Sequence, residues 1–437
     1  MLIGELARHT GVSPRLLRYY EAQGLRKNGS MSAFWPANLE RHGAQASPST
    51  IGGRERPQAA RSDGRGAEVR RRAAASTSQG LKRPLRNDLR RAVSETEFRR
   101  MRDKPAGLAE AELMAALTEG WGIEPHSVEY LPVGAGSYHW SVVDQRRTAW
   151  FVKVDDLGVE DVGRDDAFDR LGRSFGAALA LRRDAGLDFV LAPIPTAADA
   201  AVWRLTSRYA LSVFPMVAGA AGHFGAHRPE DRVEVIDLLA ELHEATPVVA
   251  DTAARADLVL PGRDRLEEAL QDLDREWTGG PYAEPARKLL SVHAGQVQRL
   301  LADFDRRVDQ VRNTAAGWVV THGEPHPGNV MRTPAGLRLI DWGTVQIAPP
   351  ERDLWMLTPA LARMLGENPV GDDDVLVRYT RATGRTVSPA GLALYPLWWR
   401  LADIAVFVDE LRRPHGTGED IAASLTYLTG YLESSRD

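Results

Sequence analysis

His322-Gly323-Glu324-Pro325-His326-Pro327-Gly328-Asn329, followed by Ile340-Asp341-Trp342, is the stretch on which the reading of this chain of 437 residues turns. Val319-Val320-Thr321 leads into it as a short strand, and Val330–Arg332 with Arg338–Ile340 predicts a strand pair between its two halves. A carboxylate at the start of a loop, an Asn five residues on and an Asp after the next hairpin make up a phosphotransfer site. Glu324 then orients the attacking hydroxyl, while the Asn329 amide oxygen and the Asp341 carboxylate hold Mg²⁺ against the phosphates. Hard oxygen donors suit magnesium. His322 and His326 raise zinc as an alternative, but zinc needs a third ligand, and Pro325 and Pro327 give the loop an awkward geometry for it. His322 is expected to brace the loop by hydrogen bonding.

Upstream, Ser127–Val133, Tyr138–Asp144 and Ala149–Val154 alternate apolar and polar residues, the period of half-buried strands. Gly134-Ala135-Gly136-Ser137 joins the first two and Gln145-Arg146-Arg147 the second and third, so a three-stranded antiparallel meander is predicted. Glycines at such a turn let backbone N–H groups come close to phosphate oxygens. A third glycine and a following helix are both missing, which disfavours a dinucleotide fold. Lys153, inside Phe151-Val152-Lys153-Val154, can place its ammonium on the α- and β-phosphates of a nucleotide; read alone it is an exposed strand lysine. Gly172–Asp184 is predicted as a helix, Val190–Ile194 and Leu211–Val217 as strands, the second running into the apolar break Phe214-Pro215-Met216-Val217. Pro229–Ala245 is an amphipathic helix ending near His243, read as a packed histidine, and helices are predicted at 264–277 and 284–312.

Charge divides the chain. Residues 1–53 carry a net +3, residues 54–102 a net +9 and residues 103–437 a net −16. An acidic body repels nucleic acid and suits a cationic small molecule. Residues 27–104 are rich in Gly, Ser, Ala and Arg without apolar periodicity and read as a basic linker, with a short basic helix predicted at 82–102. No cysteine is present, which excludes a disulfide scaffold, a thiolate metal site and a cysteine nucleophile. No apolar run of membrane-spanning length and no secretory signal is recognised, so no membrane partner and a cytoplasmic location are expected.

The first residues form two short predicted helices. Ile3–His9 precedes the turn Thr10-Gly11-Val12, and Ser13-Pro14 caps a second helix that Gly24 ends. Ile3-Gly4-Glu5-Leu6-Ala7, Thr10-Gly11-Val12-Ser13 and Arg15-Leu16-Leu17-Arg18-Tyr19-Tyr20-Glu21 resemble the start of the MerR-type DNA-binding domain. The resemblance covers residues 2–25 and stops before that family's wing and dimerising helix. It implies DNA as a partner through residues 1–26, by way of Arg15, Arg18 and Tyr19.

From about residue 108 to 434 the chain resembles the aminoglycoside phosphotransferase family, whose loop reads His-Gly-Asp-x-x-x-x-Asn and whose metal segment reads Ile-Asp-Trp. Phe151-Val152-Lys153-Val154, Leu211 to Val217, Ile340-Asp341-Trp342 through Glu351-Arg352-Asp353-Leu354, and Trp398-Trp399-Arg400 with Asp403-Ile404 look like its spectinomycin phosphotransferase branch. The resemblance implies an α+β, bilobal protein-kinase-like fold with a small antiparallel-sheet lobe and a larger helical lobe. It implies ATP or GTP with Mg²⁺, a nucleotide loop at Gly134, Gly136 and Ser137, Lys153 on the phosphates, and Phe214, Met216 and Val217 as the adenine hinge. Glu324, Asn329 and Asp341 are the catalytic set, the last two also the metal ligands. The implied domains are 1–26, a partial helix-turn-helix; 27–104, the linker; 105–217, the small lobe; and 218–437, the large lobe.

Two departures stand out. Glu324 replaces the family's Asp, and its extra methylene moves the carboxylate by roughly 1.3 Å. The helix expected to supply an acidic partner for Lys153 has none over residues 172–183, leaving Asp165, Asp166, Asp169 and Asp184 as alternatives. The leading function is a small-molecule kinase, with an aminoglycoside or aminocyclitol as acceptor. The alternatives are a MerR-type regulator with a kinase-like ligand-sensing domain, and a pseudokinase. Because residues 1–104 lack the periodicity and charge of the body, deleting them is expected to leave kcat/KM within about tenfold of the full chain in a steady-state phosphotransfer assay, a span of some 1.4 kcal/mol.

Overall fold

The computed structural model describes residues 104–105, 107–133, 137–158, 163–313, 317–365 and 374–433. The helix-turn-helix expected within 1–26, the linker with its short helix, and the glycines Gly134 and Gly136 lie outside the described residues.

The small lobe opens with α1 (Glu110–Trp121), whose Leu113 and Leu117 are fully buried. Gly122, in a left-handed conformation (φ 64°), ends the helix and turns the chain into the first strand. The meander follows as β1 (Pro125–Leu131), β2 (Ser137–Asp144) and β3 (Ala149–Asp156). Next come α2 (Arg164–Arg183), β4 (Trp203–Arg204) and β5 (Tyr209–Pro215). The five strands form one antiparallel sheet in the order β1-β2-β3-β5-β4.

Period two divides this sheet's side chains between two faces. Trp140, Val142, Val152, Val154, Leu211 and Val213 pack with Leu113 and Leu117 of α1 in one apolar cluster. Each fully buried aliphatic side chain there contributes on the order of 2 kcal/mol. The other parity carries Ser137, His139, Lys153, Asp155, Ser212 and Phe214. Register pairs Ser137 with Asp155, His139 with Lys153, and Lys153 with Ser212. That face meets α2, where Phe175 packs edge-on against Phe214 at 5.6 Å. The polar residues of the sheet are thus gathered on the face opposite the α1 cluster.

Two expectations are corrected here. Helix α2 begins at Arg164, not Gly172: Ala167, Phe168 and Leu171 of its first two turns are only partly buried, but they continue the apolar stripe of Phe175 onto the core. Residues 190–194 are not a strand. They alternate partners instead: Leu191 N–H donates to Leu339 O at 3.1 Å, and Ile194 N–H donates to Val213 O at 2.7 Å. This segment ties the two lobes together and therefore keeps no single ladder.

The large lobe starts with β6 (Ala220–Ala221), α3 (Pro229–Glu244), α4 (Thr246–Val249), α5 (Arg263–Gln271) and α6 (Ala283–Arg312). The predicted helix at 264–277 stops at Gln271. Then come β7 (Val319–Thr321), β8 (Val330–Thr333), β9 (Gly336–Leu339) and β10 (Gln346–Ala348). Strand β7 pairs with β10, and β6-β8-β9 form a small sheet, both antiparallel. Helices α7 (Glu351–Leu354), α8 (Pro359–Met364), α9 (Asp374–Thr383), α10 (Pro389–Arg412) and α11 (Glu419–Glu433) complete the lobe.

Helix α10 is, among the described residues, the one helix long and apolar enough by composition to cross a membrane, with a mean hydropathy of 1.3 over its best window. Its apolar residues include a core set, for Leu394, Leu401, Ile404, Ala405, Val408 and Leu411 are buried in the lobe against α5, α6 and α11.

Candidate active site

The loop after β7 is set from below by one carboxylate. Asp353 of α7, fully buried, accepts His322 N–H at 2.9 Å and Gly323 N–H at 2.5 Å. It also accepts from His243 Nε2 at 3.1 Å, and His243 Nδ1 lies 2.8 Å from the Tyr379 hydroxyl. Burial works against the charge of Asp353, but the His243 bond and nearby cations outweigh it and hold the carboxyl below its usual range. His243 is packed, as expected, and it also positions the anchor. Gly323 has φ 99°, and a Cβ there would run into the Arg352 guanidinium, which donates to Thr321 Oγ1 at 2.9 Å.

Three neutral histidines fix the loop from above. His322 Nδ1 accepts from Glu324 N–H at 3.3 Å while its Nε2 donates to Ile340 O at 2.9 Å. His227 Nε2 donates to Pro325 O at 2.7 Å, and His326 Nδ1 accepts from Gly328 N–H at 3.1 Å, capping the turn Pro327–Asn329. Burial lowers all three, His227 to about 4 and His326 to about 3. The bracing role read for His322 is what its hydrogen bonds describe.

Glu324 is half-buried, and no hydrogen bond or ion pair reaches its carboxylate among the described residues. Burial, then the negative field of Asp341, pushes it up to about 7, a value suited to accepting a proton near neutrality. Asn329 is buried; its Nδ2 donates to Glu324 O at 3.0 Å, which leaves the amide oxygen as the atom available to a cation. Asp341 lies in the left-handed region (φ 65°, ψ 64°), with 46% of its side chain exposed to the cleft. Such a backbone is sparsely populated and marks a position that the surrounding fold imposes.

Lys153 joins the lobes. Its ammonium lies 3.1 Å from Asp341 Oδ1 and 3.1 Å from Asp155 Oδ1, and 5.4 Å from the Phe175 ring centre. Burial disfavours its charge, but the two carboxylates reverse this and raise its pKa; the same ammonium holds Asp341 below the ordinary carboxylate range. Ser137 Oγ donates to Asp155 Oδ1 at 2.6 Å. The four carboxylates considered as partners of Lys153 are not its partners. Asp165 pairs with Arg204 and Asp184 with Arg183, and Asp166 and Asp169 are exposed. Asp155, missed in the sequence, sits two residues on, on the same face of β3; period two was the available signal.

At the hinge, Phe214 turns inward against Phe175, Val217 is half-buried and Met216 is exposed just beyond the end of β5. Beside the loop, Phe224 meets His326 edge-on at 4.8 Å and stacks on Trp399 at 5.6 Å. Asp403, one turn along α10 from Trp399, accepts from the Tyr431 hydroxyl at 2.5 Å. Pro327 O accepts from Gly222 N–H at 2.9 Å, and a Cβ on Gly222 would collide with Pro327, so this backbone lies directly on the loop.

Among the described residues no group of three or more His, Asp or Glu side chains is placed to hold a metal ion. The two-oxygen set of Asn329 and Asp341 instead fits Mg²⁺, which keeps water and phosphate ligands besides one or two protein oxygens.

The sequence model of the phosphotransferase enzyme family matches residues 127–394. The chain belongs to this family. It is an enzyme, an ATP-dependent phosphotransferase acting on a small molecule. Protein StrN of Streptomyces griseus is 30% identical to this phosphotransferase over 266 residues, 59% of this chain and 75% of StrN. Among solved structures, a spectinomycin phosphotransferase in complex with ADP and spectinomycin aligns with a TM-score of 0.58 at 16% identity, covering 76% of this chain and 98% of that one. A microcompartment-associated aminopropanol kinase aligns at 0.50 with 15% identity, over 74% of this chain and 95% of that one. At these identities the structures speak for the fold. A MerR family regulatory protein model matches residues 2–29.

The neutral histidines give this phosphotransferase an acid limit. The unfolded chain binds a proton near pH 6.5 that the folded His227 refuses until about pH 4, so stability is full above 6.5 and falls as pH drops toward 4. His227→Gln is expected to remove about 3 kcal/mol of the free energy of unfolding that the parent loses between pH 7 and pH 4, read by urea denaturation at both values.

Proposed function

We propose that this enzyme transfers the γ-phosphate of ATP, with GTP as the alternative donor, to a hydroxyl of a cationic, polyhydroxylated small molecule of the aminoglycoside or aminocyclitol class, in the cytoplasm. What carries this reading is one arrangement. Lys153, Asp341, Asn329 and Glu324 meet where the two lobes face each other, although 188 positions of sequence separate Lys153 from Asp341.

In the reading, Glu324 aligns the acceptor hydroxyl and takes its proton as the oxygen attacks the γ-phosphorus. The bond from phosphorus to the β-bridging oxygen breaks, and ADP leaves. Mg²⁺, when bound, would supply charge neutralisation at the β- and γ-phosphates, with the Asn329 oxygen and Asp341 as the residues that hold it. Lys153 contacts the α- and β-phosphates. Ser137, at the start of β2, belongs with the nucleotide loop, to which the family resemblance also assigns Gly134 and Gly136, and Phe214, Met216 and Val217 border the base. The cationic acceptor is assigned to the side of the loop bordered by Phe224, stacked on Trp399 and set against His326, with Asp403 adding negative field there. The acidic body steers such a cation inward. The spectinomycin bound in the structurally similar spectinomycin phosphotransferase and the cationic character of aminocyclitols support this choice. DNA contact through residues 1–26 is a separate proposal that rests on the MerR resemblance.

A panel of aminocyclitols and aminoglycosides in a coupled ADP-release assay tests the acceptor class; turnover confined to uncharged sugars contradicts it. Asp341→Ala is expected to abolish Mg²⁺-dependent turnover with little change in melting temperature. Glu324→Gln is expected to keep ATP binding while kcat falls by roughly 100-fold. Glu324→Asp is expected to fall too, by on the order of 10- to 100-fold, because the loop is braced around the longer side chain. A gain with Asp would show a site weakened by its Glu.

A further inference from the structure

We infer that Asp155, on the same strand as Lys153, is the positioning residue that orients the phosphate-binding lysine, and that the neighbouring helix α2 has no part in doing so beyond packing. The inference rests on the reading of Lys153 given above.

Four observations carry it. Lys153 has two carboxylate partners, Asp155 and Asp341, each at 3.1 Å. Asp341 is the one assigned to the metal, so with nucleotide bound Asp155 is the carboxylate that remains for the lysine. Second, Asp155 is itself held. Its cross-strand neighbour Ser137 donates a 2.6 Å hydrogen bond to the same Oδ1 that faces the lysine. Third, Asp155 Oδ2 is buried without a hydrogen-bond partner among the described residues. An unsatisfied buried oxygen costs about 1–3 kcal/mol, so this carboxylate is a poor choice for stability alone. Fourth, α2 presents Ser174, Phe175, Ala177, Ala178 and Leu181 as its buried face, and it meets the ammonium through the Phe175 ring, with no carboxylate of α2 paired to it among the described residues. The acids at the two ends of that helix are exposed or paired with arginines elsewhere.

The physical consequence is definite. A lysine held by a helix is correctly placed only when the helix is docked. A lysine held two residues along its own strand is placed as soon as β2, β3 and β5 pair, because the i to i+2 spacing is set by the backbone. Displacement of α2 is then unable to switch the lysine off.

The test uses the full chain and measures ATP and acceptor kinetics, binding of a fluorescent ATP analogue and melting temperature. Asp155→Asn is expected to lower kcat/KM for ATP by at least tenfold and weaken the analogue correspondingly, with the acceptor KM within threefold of the parent. Asp155→Glu is expected to recover part of the loss. Asp165→Asn, Asp166→Asn, Asp169→Asn and Asp184→Asn are each expected to match the parent. Equal loss of both KM values in Asp155→Asn together with a fall in melting temperature, or a loss in one of the four helix variants, overturns the inference. Lys153→Met separates the two readings. If it abolishes ATP use while Asp155→Asn is silent, the inference falls and the role of Lys153 stands; if Lys153→Met turns over normally, both fall.

Discussion

A fully buried carboxylate that accepts two backbone N–H groups and a histidine is the constraint on which the rest of this site depends. Asp353 receives His322 N–H, Gly323 N–H and His243 Nε2 at once, using most of its acceptor capacity. Removing one partner of such a buried group costs several kcal/mol, so the start of the loop has one conformation. From that fixed point the chain reaches Glu324 after a single residue and Asn329 after five more. Small errors at the anchor would be passed on undiminished.

Hydrogen bonds from neutral imidazoles finish the work. His322, His227 and His326 each hold a backbone atom of the loop, and each is kept uncharged by burial. A neutral ring can accept at one nitrogen and donate at the other, which a charged ring cannot. The cleft beside the loop is therefore left to the carboxylates Glu324, Asp341 and Asp403, and the field there stays negative. Lys153 is a buried cation beside Asp341, its charge secured by carboxylates from both lobes. The same ion pair joins the small lobe to the large one across the cleft.

Most of the secondary structure was legible because its periods are strong. Strands β2 and β3 alternate cleanly, and α3 and α6 carry apolar stripes, so their limits fall within one or two residues of expectation. The failures have a common cause. The first two turns of α2 are charged and only partly buried, their stripe resting on Ala167, Phe168 and Leu171 alone, and the segment at 190–194 serves two lobes and has no period to detect. The loop motif was readable since Glu324, Asn329 and Asp341 follow one another at short range. The members of the site that come from far away in the chain were not: His227, Tyr379, Phe224 and the role of Asp353 have no local signature.

By itself, then, the sequence determined the strand and helix periods, the acidic body, the catalytic loop and the lysine, because each depends on residues close together in the chain. The tertiary structure decided which carboxylates hold Lys153, which histidines brace the loop and which aromatic rings pack beside it. Those choices depend on side-chain direction and on contacts between segments more than a hundred residues apart, such as Asp353 with His243. Asp155 stands between the two cases. Its spacing from Lys153 was visible, but only the paired strands show that Ser137 turns its carboxylate toward the lysine.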